Sequence, residues 1–286
     1  MLKLTRNGII NRCYIGQFAQ IAQFSQLNKF TNKQTQTFTD KNDSTKYEYA
    51  YNYGKKEFLL KTGIITGSSI IGSLCFASLG LIEPTISSII GGTILAIGGS
   101  IGLGMTSESG TVVHKTISNS KYTFPIVNNS LEQKISYGAV ITGISISISP
   151  LIAATSLNIL IPAIVSSSAI YGGSIAYGYL QPAENMNTIK IIGYGGLGGL
   201  IGCSVVGISS HLMFGPNDIS SILFNINTYM GIPIFMAISA YDMSRALKMY
   251  EDGYPDAIVC ATDQYLNYIN ILIRMIEIYS KIYEDD

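Results

Sequence analysis

The sequence predicts an all-α fold: a polytopic membrane bundle of seven transmembrane helices, with the seventh at its centre. Three observations carry this expectation. Only 13% of the 286 residues are charged, about half the roughly 25% of an ordinary soluble domain, and mean hydropathy is +0.31. Uncharged stretches succeed one another at residues 62–82, 84–107, 135–183, 191–217 and 219–241, and a hydrocarbon core needs roughly 20 mostly apolar residues per helix. Turn-forming residues interrupt them at Glu83-Pro84, the polar run 108–134, Leu157-Asn158, Gln181-Pro182 and Gly215-Pro216-Asn217-Asp218.

These breaks place six spans near residues 62–82, 84–107, 135–156, 159–180, 190–213 and 219–242. A seventh, near 263–283, carries Asp263, Asn267, Asn270, Arg274, Glu277 and Lys281. A charge at mid-bilayer costs a few kcal/mol on insertion scales, so this helix is expected inside the bundle, shielded by the other six. The spans are rich in Gly, Ser and Ile. Small residues let helix backbones approach where lipid gives no hydrophobic drive for association, so the pairs Gly195/Gly199 and Gly198/Gly202 predict a helix-packing face. A glycine-rich helix buried in a large soluble protein is the alternative, and the succession of apolar runs weighs against it.

Residues 1–60 differ from the rest, and the expected division is a leader and flexible segment at 1–60 followed by the membrane domain at 61–286. Lys3, Arg6, Arg12, Lys29 and Lys33 precede the first acidic residue, Asp40, and Phe18, Ile21, Phe24 and Leu27 recur at helical spacing. A basic, acid-free, amphipathic start has the character of a mitochondrial transit peptide; a solvated tail is the alternative. Basic residues next to the spans set orientation. Lys55, Lys56 and Lys61 before the first helix, Lys115, Lys121 and Lys134 in the second loop, and Arg245 and Lys248 after the sixth outweigh Glu83, Asn158 and Asp218 opposite. The expected N-terminus is therefore in the matrix.

Several functions are excluded. Eighteen basic residues balance eighteen acidic ones, so no basic excess exists to displace counterions from nucleic acid. Cys13, Cys75, Cys203 and Cys260 show no CxxC or secreted-type spacing. His114 and His211 have no carboxylate or thiol at ligand spacing, and no metal site, catalytic residue or cofactor is expected. Gly193-Tyr194-Gly195-Gly196-Leu197-Gly198 matches GxGxxG but lacks the preceding strand and the acidic residue about 20 positions on that a dinucleotide site needs.

The informative stretch is 240–277. Tyr241-Asp242-Met243-Ser244-Arg245 closes the predicted sixth helix, and Tyr265-Leu266-Asn267-Tyr268-Ile269-Asn270 opens the seventh. An aspartate inside a bundle is a functional candidate; the alternative is a carboxylate paired with Arg245 one turn away, or simply hydrated. Together these residues resemble the signature of the Bax inhibitor-1, or transmembrane BAX inhibitor motif, family. The upstream Gln181-Pro182-Ala183-Glu184-Asn185-Met186-Asn187 and the glycine-rich run to Gly202 are similar to its mitochondrial, growth hormone-inducible transmembrane branch.

The resemblance implies a proton-sensitive calcium leak or calcium/proton exchange through facing aspartates on helices six and seven. Close carboxylates share a proton and titrate together, and a hard cation can replace that proton at their oxygens. Asp242 matches the first aspartate, but the second position is Asn267, which cannot titrate. The arginine that some members carry in helix two is also missing from 84–107. Asp263, one turn before Asn267 on the same face, is the candidate substitute, or else the cap of the seventh helix after Thr262.

The first expectation is therefore a structural, accessory component of a respiratory or cristae-organising assembly, partnered by lipid and other inner-membrane subunits, with a degenerate ion site. The alternative is a calcium pathway through Asp242, the one reading in which calcium is a ligand. A soluble enzyme finds no constellation to support it.

Overall fold

The computed structural model describes residues 44–78, 85–107, 109–117, 123–181 and 183–284. The basic leader at 1–39, the Glu83-Pro84 break and Lys121 lie outside them. Among the described residues the chain forms α1 (Ser44–Ser78), α2 (Ile86–Thr106), a hairpin of β1 (Thr111–Thr116) and β2 (Thr123–Asn128), α3 (Leu131–Ala154), α4 (Leu157–Leu180), a 3-10 turn (Ala183–Met186), α5 (Asn187–Phe214), α6 (Asp218–Glu251) and α7 (Ala257–Glu284).

Of the described helices, α1 to α6 are long and apolar enough to cross a membrane, and their burial pattern inverts that of a soluble protein. On α2, Ile90, Ile94, Leu95, Ile101 and Met105 are exposed, whereas Gly92, Thr93, Ala96, Gly99 and Ser100 face inward. Large apolar groups meet lipid while small ones let helices close on each other. A Cβ added at Gly92 would lie 2.7 Å from the Gly143 carbonyl oxygen of α3, and one at Gly99 2.7 Å from the Val140 nitrogen.

At the centre lies α7, buried from Ala257 to Ile276 and in contact with α1, α3, α4 and α6. Tyr265, Leu266, Ile269, Leu272 and Ile276 join the main core with Val140, Ile144 and Ile148 of α3 and Phe235 and Ile238 of α6. Its hydroxyl partners are interior ones: Tyr265 shares a 2.8 Å hydrogen bond with Ser73 of α1, which accepts another from Ser145 of α3 at 2.8 Å. The expectation of a shielded, polar seventh helix holds.

Several boundaries differ from expectation. α1 begins at Ser44 rather than near 62, inside the segment assigned to the leader, and Lys55, Lys56 and Lys61 lie within it. Lysines do not break helices; their stems snorkel to water, while Ala50, Gly54, Phe58, Thr62 and Thr66 form a buried stripe along α1. The polar run 108–134 is an antiparallel hairpin, with Val113 opposite Ile126 and His114 opposite Pro125, followed directly by α3. Lys115 stands on β1, 2.5 Å from Glu57. The glutamate oxygen accepts its hydrogen bond and raises the pKa of this exposed ammonium. α6 runs nine residues past Asp242 to Glu251, so Asp242 lies within the helix and not at its end.

The expected packing glycines also fall on the wrong face. Gly195, Gly198, Gly199 and Gly202 are exposed, and a Cβ at any of them meets no atom within 4 Å. The neighbouring face touches α6 instead: a Cβ at Gly193 would come within 2.9 Å of Ile238, and one at Gly196 within 2.8 Å of Ile234. In a run so dense in glycine, small-xxx-small spacing occurs on more than one face, and spacing alone does not select the buried one.

Candidate functional site

Three helices meet around Asp242. α6 is drawn against α4 where Gly178 meets Ala240, since a Cβ at Gly178 would overlap the Ala240 carbonyl oxygen. α5 closes on the other side through Gly193 and Ile238. These close approaches leave Asp242 5% exposed.

Both of its carboxylate oxygens are engaged. Asn267 of α7 donates through Nδ2 to Oδ2 at 2.8 Å, and the Tyr194 hydroxyl of α5 donates to Oδ1 at 3.0 Å. An ionised carboxylate only accepts, so Asn267 must present its amide NH₂ here. One turn along α6, Arg245 places Nη1 3.5 Å from Oδ2 of Asp263. Asp263 and Asn267 are themselves one turn apart on α7. The result is a four-cornered cluster, with an amide–carboxylate hydrogen bond and a guanidinium–carboxylate pair each joining α6 to α7. A second ring surrounds it: the Tyr171 hydroxyl donates to Gln264 Oε1 at 3.1 Å, Tyr171 meets Tyr268 edge-on at 5.5 Å, and Tyr194 meets Tyr241 in the same way at 5.6 Å.

The structure thus brings together Asp242, Asn267 and Asp263. It assigns Asp263 to Arg245 and not to a helix cap, because α7 begins at Ala257. The cap is Asp256, whose Oδ1 accepts the N–H of Ile258 at 3.0 Å and of Val259 at 3.2 Å. Asn129 and Gln133, just after the hairpin, donate to the same carboxylate at 2.7 and 2.9 Å. Burial pushes the Asp256 carboxyl above its ordinary range, and these N–H donors offset part of that rise. Sequence reasoning missed Asp256, and it missed Tyr194 inside the glycine run. An acidic residue directly before the apolar run 257–261 is a legible cap signal; nothing in the sequence pairs Tyr194 with Asp242.

The charges decide what the cluster can do. Asp242 and Asp263 stand against Arg245, so with both carboxyls ionised one negative charge is in excess within a buried site. An uncompensated buried charge costs several kcal/mol, and a proton or an incoming cation removes the excess.

A family model described as Bax1-I, inhibitor of apoptosis-promoting Bax1, matches residues 55–283. Comparisons with curated proteins and with solved structures give no match. With the apolar helices around a polar central one and a match from α1 through α7, the chain belongs to the Bax inhibitor-1 family and is a multi-pass membrane protein.

Proposed function

We propose that the protein is a proton-sensitive cation pathway of the mitochondrial inner membrane, with Asp242 exchanging a proton for a passing divalent cation such as calcium. The observation that carries this reading is the excess carboxylate beside Arg245. Replacement of the family aspartate by Asn267 does not strip the cluster of its second acid, because Asp263 supplies one from the adjacent turn. Protonated, Asp242 is neutral and bridges Tyr194 and Asn267; ionised, it offers a hard oxygen to a cation. The basic, acid-free stretch at 1–39 supports the organelle, and the lysines toward the hairpin end support a matrix-facing N-terminus.

Purified protein in vesicles loaded with a calcium dye tests this reading. Calcium flux should vary with pH, fall to the level of empty vesicles in Asp242→Asn, and respond more steeply to pH in Asn267→Asp. Flux indifferent to pH, or unaffected by Asp242→Asn, sinks it. A second reading, a structural component of a respiratory or cristae-organising assembly, is favoured by the saturation of Asp242 by two neutral donors. Comigration with a large complex on native gels, together with vesicles silent at every pH, selects it.

A further inference from the structure

The hairpin takes no part in the Asp242 site. α1 has 35 residues, so at 1.5 Å per residue it measures about 52 Å, against roughly 30 Å for a hydrocarbon core. Its charged part at 48–61 therefore stands outside the core, and the hairpin packs against it. Tyr53 meets Phe124 of β2 edge-on at 5.7 Å, and Ala50 joins Ile117 and Phe124 in a small apolar cluster. At Gly54 the approach is close enough that an added Cβ would lie 2.6 Å from the Phe124 Cβ. β2 is thus fixed to α1, and β1 is carried on its outer side.

All six residues of β1 are exposed, Val112 by 41% and Val113 by 45%. Among the described residues the sheet has two strands, so the second edge of β1 meets no strand. Pro125 shows which residues turn toward that edge. It has no N–H and stands opposite His114, which fits the kind of pair that exchanges no hydrogen bonds. The two kinds of pair alternate along an antiparallel ladder. Val113 and Lys115 therefore bond to β2, whereas Val112 and Thr116 turn their N–H and C=O groups outward.

We infer that the outer edge of β1 docks a second copy of this chain, β1 against β1, antiparallel about a two-fold axis at His114. Strand addition at an edge bonds outward groups to outward groups. Setting Val112 opposite Thr116 of the second copy, and Thr116 opposite its Val112, engages both positions in each chain. His114 then lies opposite its own counterpart. A slip of one residue would set outward groups against inward ones. The same register puts Lys115, which is held by Glu57, opposite Val113 of the second copy, so no lysine faces a lysine. So short a pairing buries less surface than a stable soluble dimer needs. Insertion in one membrane holds every β1 at one height and on one side, and that confinement supplies the effective concentration. The inference is independent of the Asp242 reading.

Disulfide crosslinking in phosphatidylcholine vesicles tests the register, with the unsubstituted chain giving the background from the native cysteines. Facing residues of a bonded pair have Cα atoms about 5.5 Å apart, within disulfide reach. His114→Cys should therefore crosslink to a dimer by itself. Val112→Cys should not, since its counterpart lies four residues along the strand, roughly 13 Å away; it should crosslink when reconstituted together with Thr116→Cys. Val112→Pro removes an outward N–H and leaves the β2 ladder intact, so added to His114→Cys it should cut the crosslinked fraction roughly tenfold. Thr116→Pro should do the same and serves if Val112→Pro does not fold. A His114→Cys crosslink at background level overturns the proposal. Self-crosslinking of Val112→Cys equal to that of His114→Cys overturns it too, as does a crosslink unchanged by a folded proline variant.

Discussion

At the scale of single residues, position relative to helix ends separates the acidic groups. Asp242 and Asp263 lie inside helices, where backbone N–H groups are already used, so only side chains can answer them. Asp256 lies at a helix start and is answered mostly by N–H groups, from the backbone of α7 and from two amides near the hairpin. Asp256→Asn turns one acceptor into a donor facing the Gln133 amide and should cost about 1–2 kcal/mol of stability. The pH dependence has a definite sign. Burial raises the folded pKa above the unfolded value of 3.8, so the native carboxyl contributes its full stability below that value and loses it as pH rises through the folded pKa. The Asn side chain does not titrate. Melting in detergent should therefore show a penalty for Asp256→Asn that is largest near about pH 4 and narrows as pH rises.

At the scale of elements, glycine has two opposite meanings in this chain. Gly143 sits where α3 touches α2, and a Cβ there would lie 2.9 Å from the Ala96 Cα and overlap the Gly92 carbonyl oxygen. Gly199 on α5 meets nothing within 4 Å. Gly143→Ala should cost roughly 1–3 kcal/mol through overpacking, whereas Gly199→Ala should be neutral or stabilise by up to about 1 kcal/mol, since alanine is the better helix former. Thermal unfolding of the two variants in one detergent checks the contrast; equal losses would contradict the assignment of faces. The existence of α2 to α6 was legible because each contains a long uncharged run. The start of α1 was not, because charge was read as a boundary although its lysines point outward from a helix with a continuous buried stripe.

At the scale of the whole molecule, α7 depends on the other helices. It carries Asp263, Arg274, Glu277 and Lys281 and is not among the helices apolar enough to span alone. Each such charge near the bilayer centre opposes insertion by about 2.5–3.5 kcal/mol. In a glycosylation-mapped insertion assay, the isolated α7 segment should fail to integrate, whereas α4, with no charged residue, should integrate efficiently. Efficient insertion of α7 alone would show that the bundle is not what shelters it. The same dependence makes the interior cluster specific, because its partners come from α5, α6 and α7 at once.

The amino-acid sequence alone was enough for the membrane class, the order of the apolar helices, the central place of the polar seventh, and Asp242 and Asn267 as candidate site residues. These follow from composition and one-dimensional spacing, since a bilayer imposes a length and a polarity on each segment separately. Which glycine face is buried, that Asp263 answers Arg245 and that Tyr194 completes the Asp242 site emerged only from the packed fold. Those are relations between helices, set by rotation and depth as they pack, and no single segment encodes them.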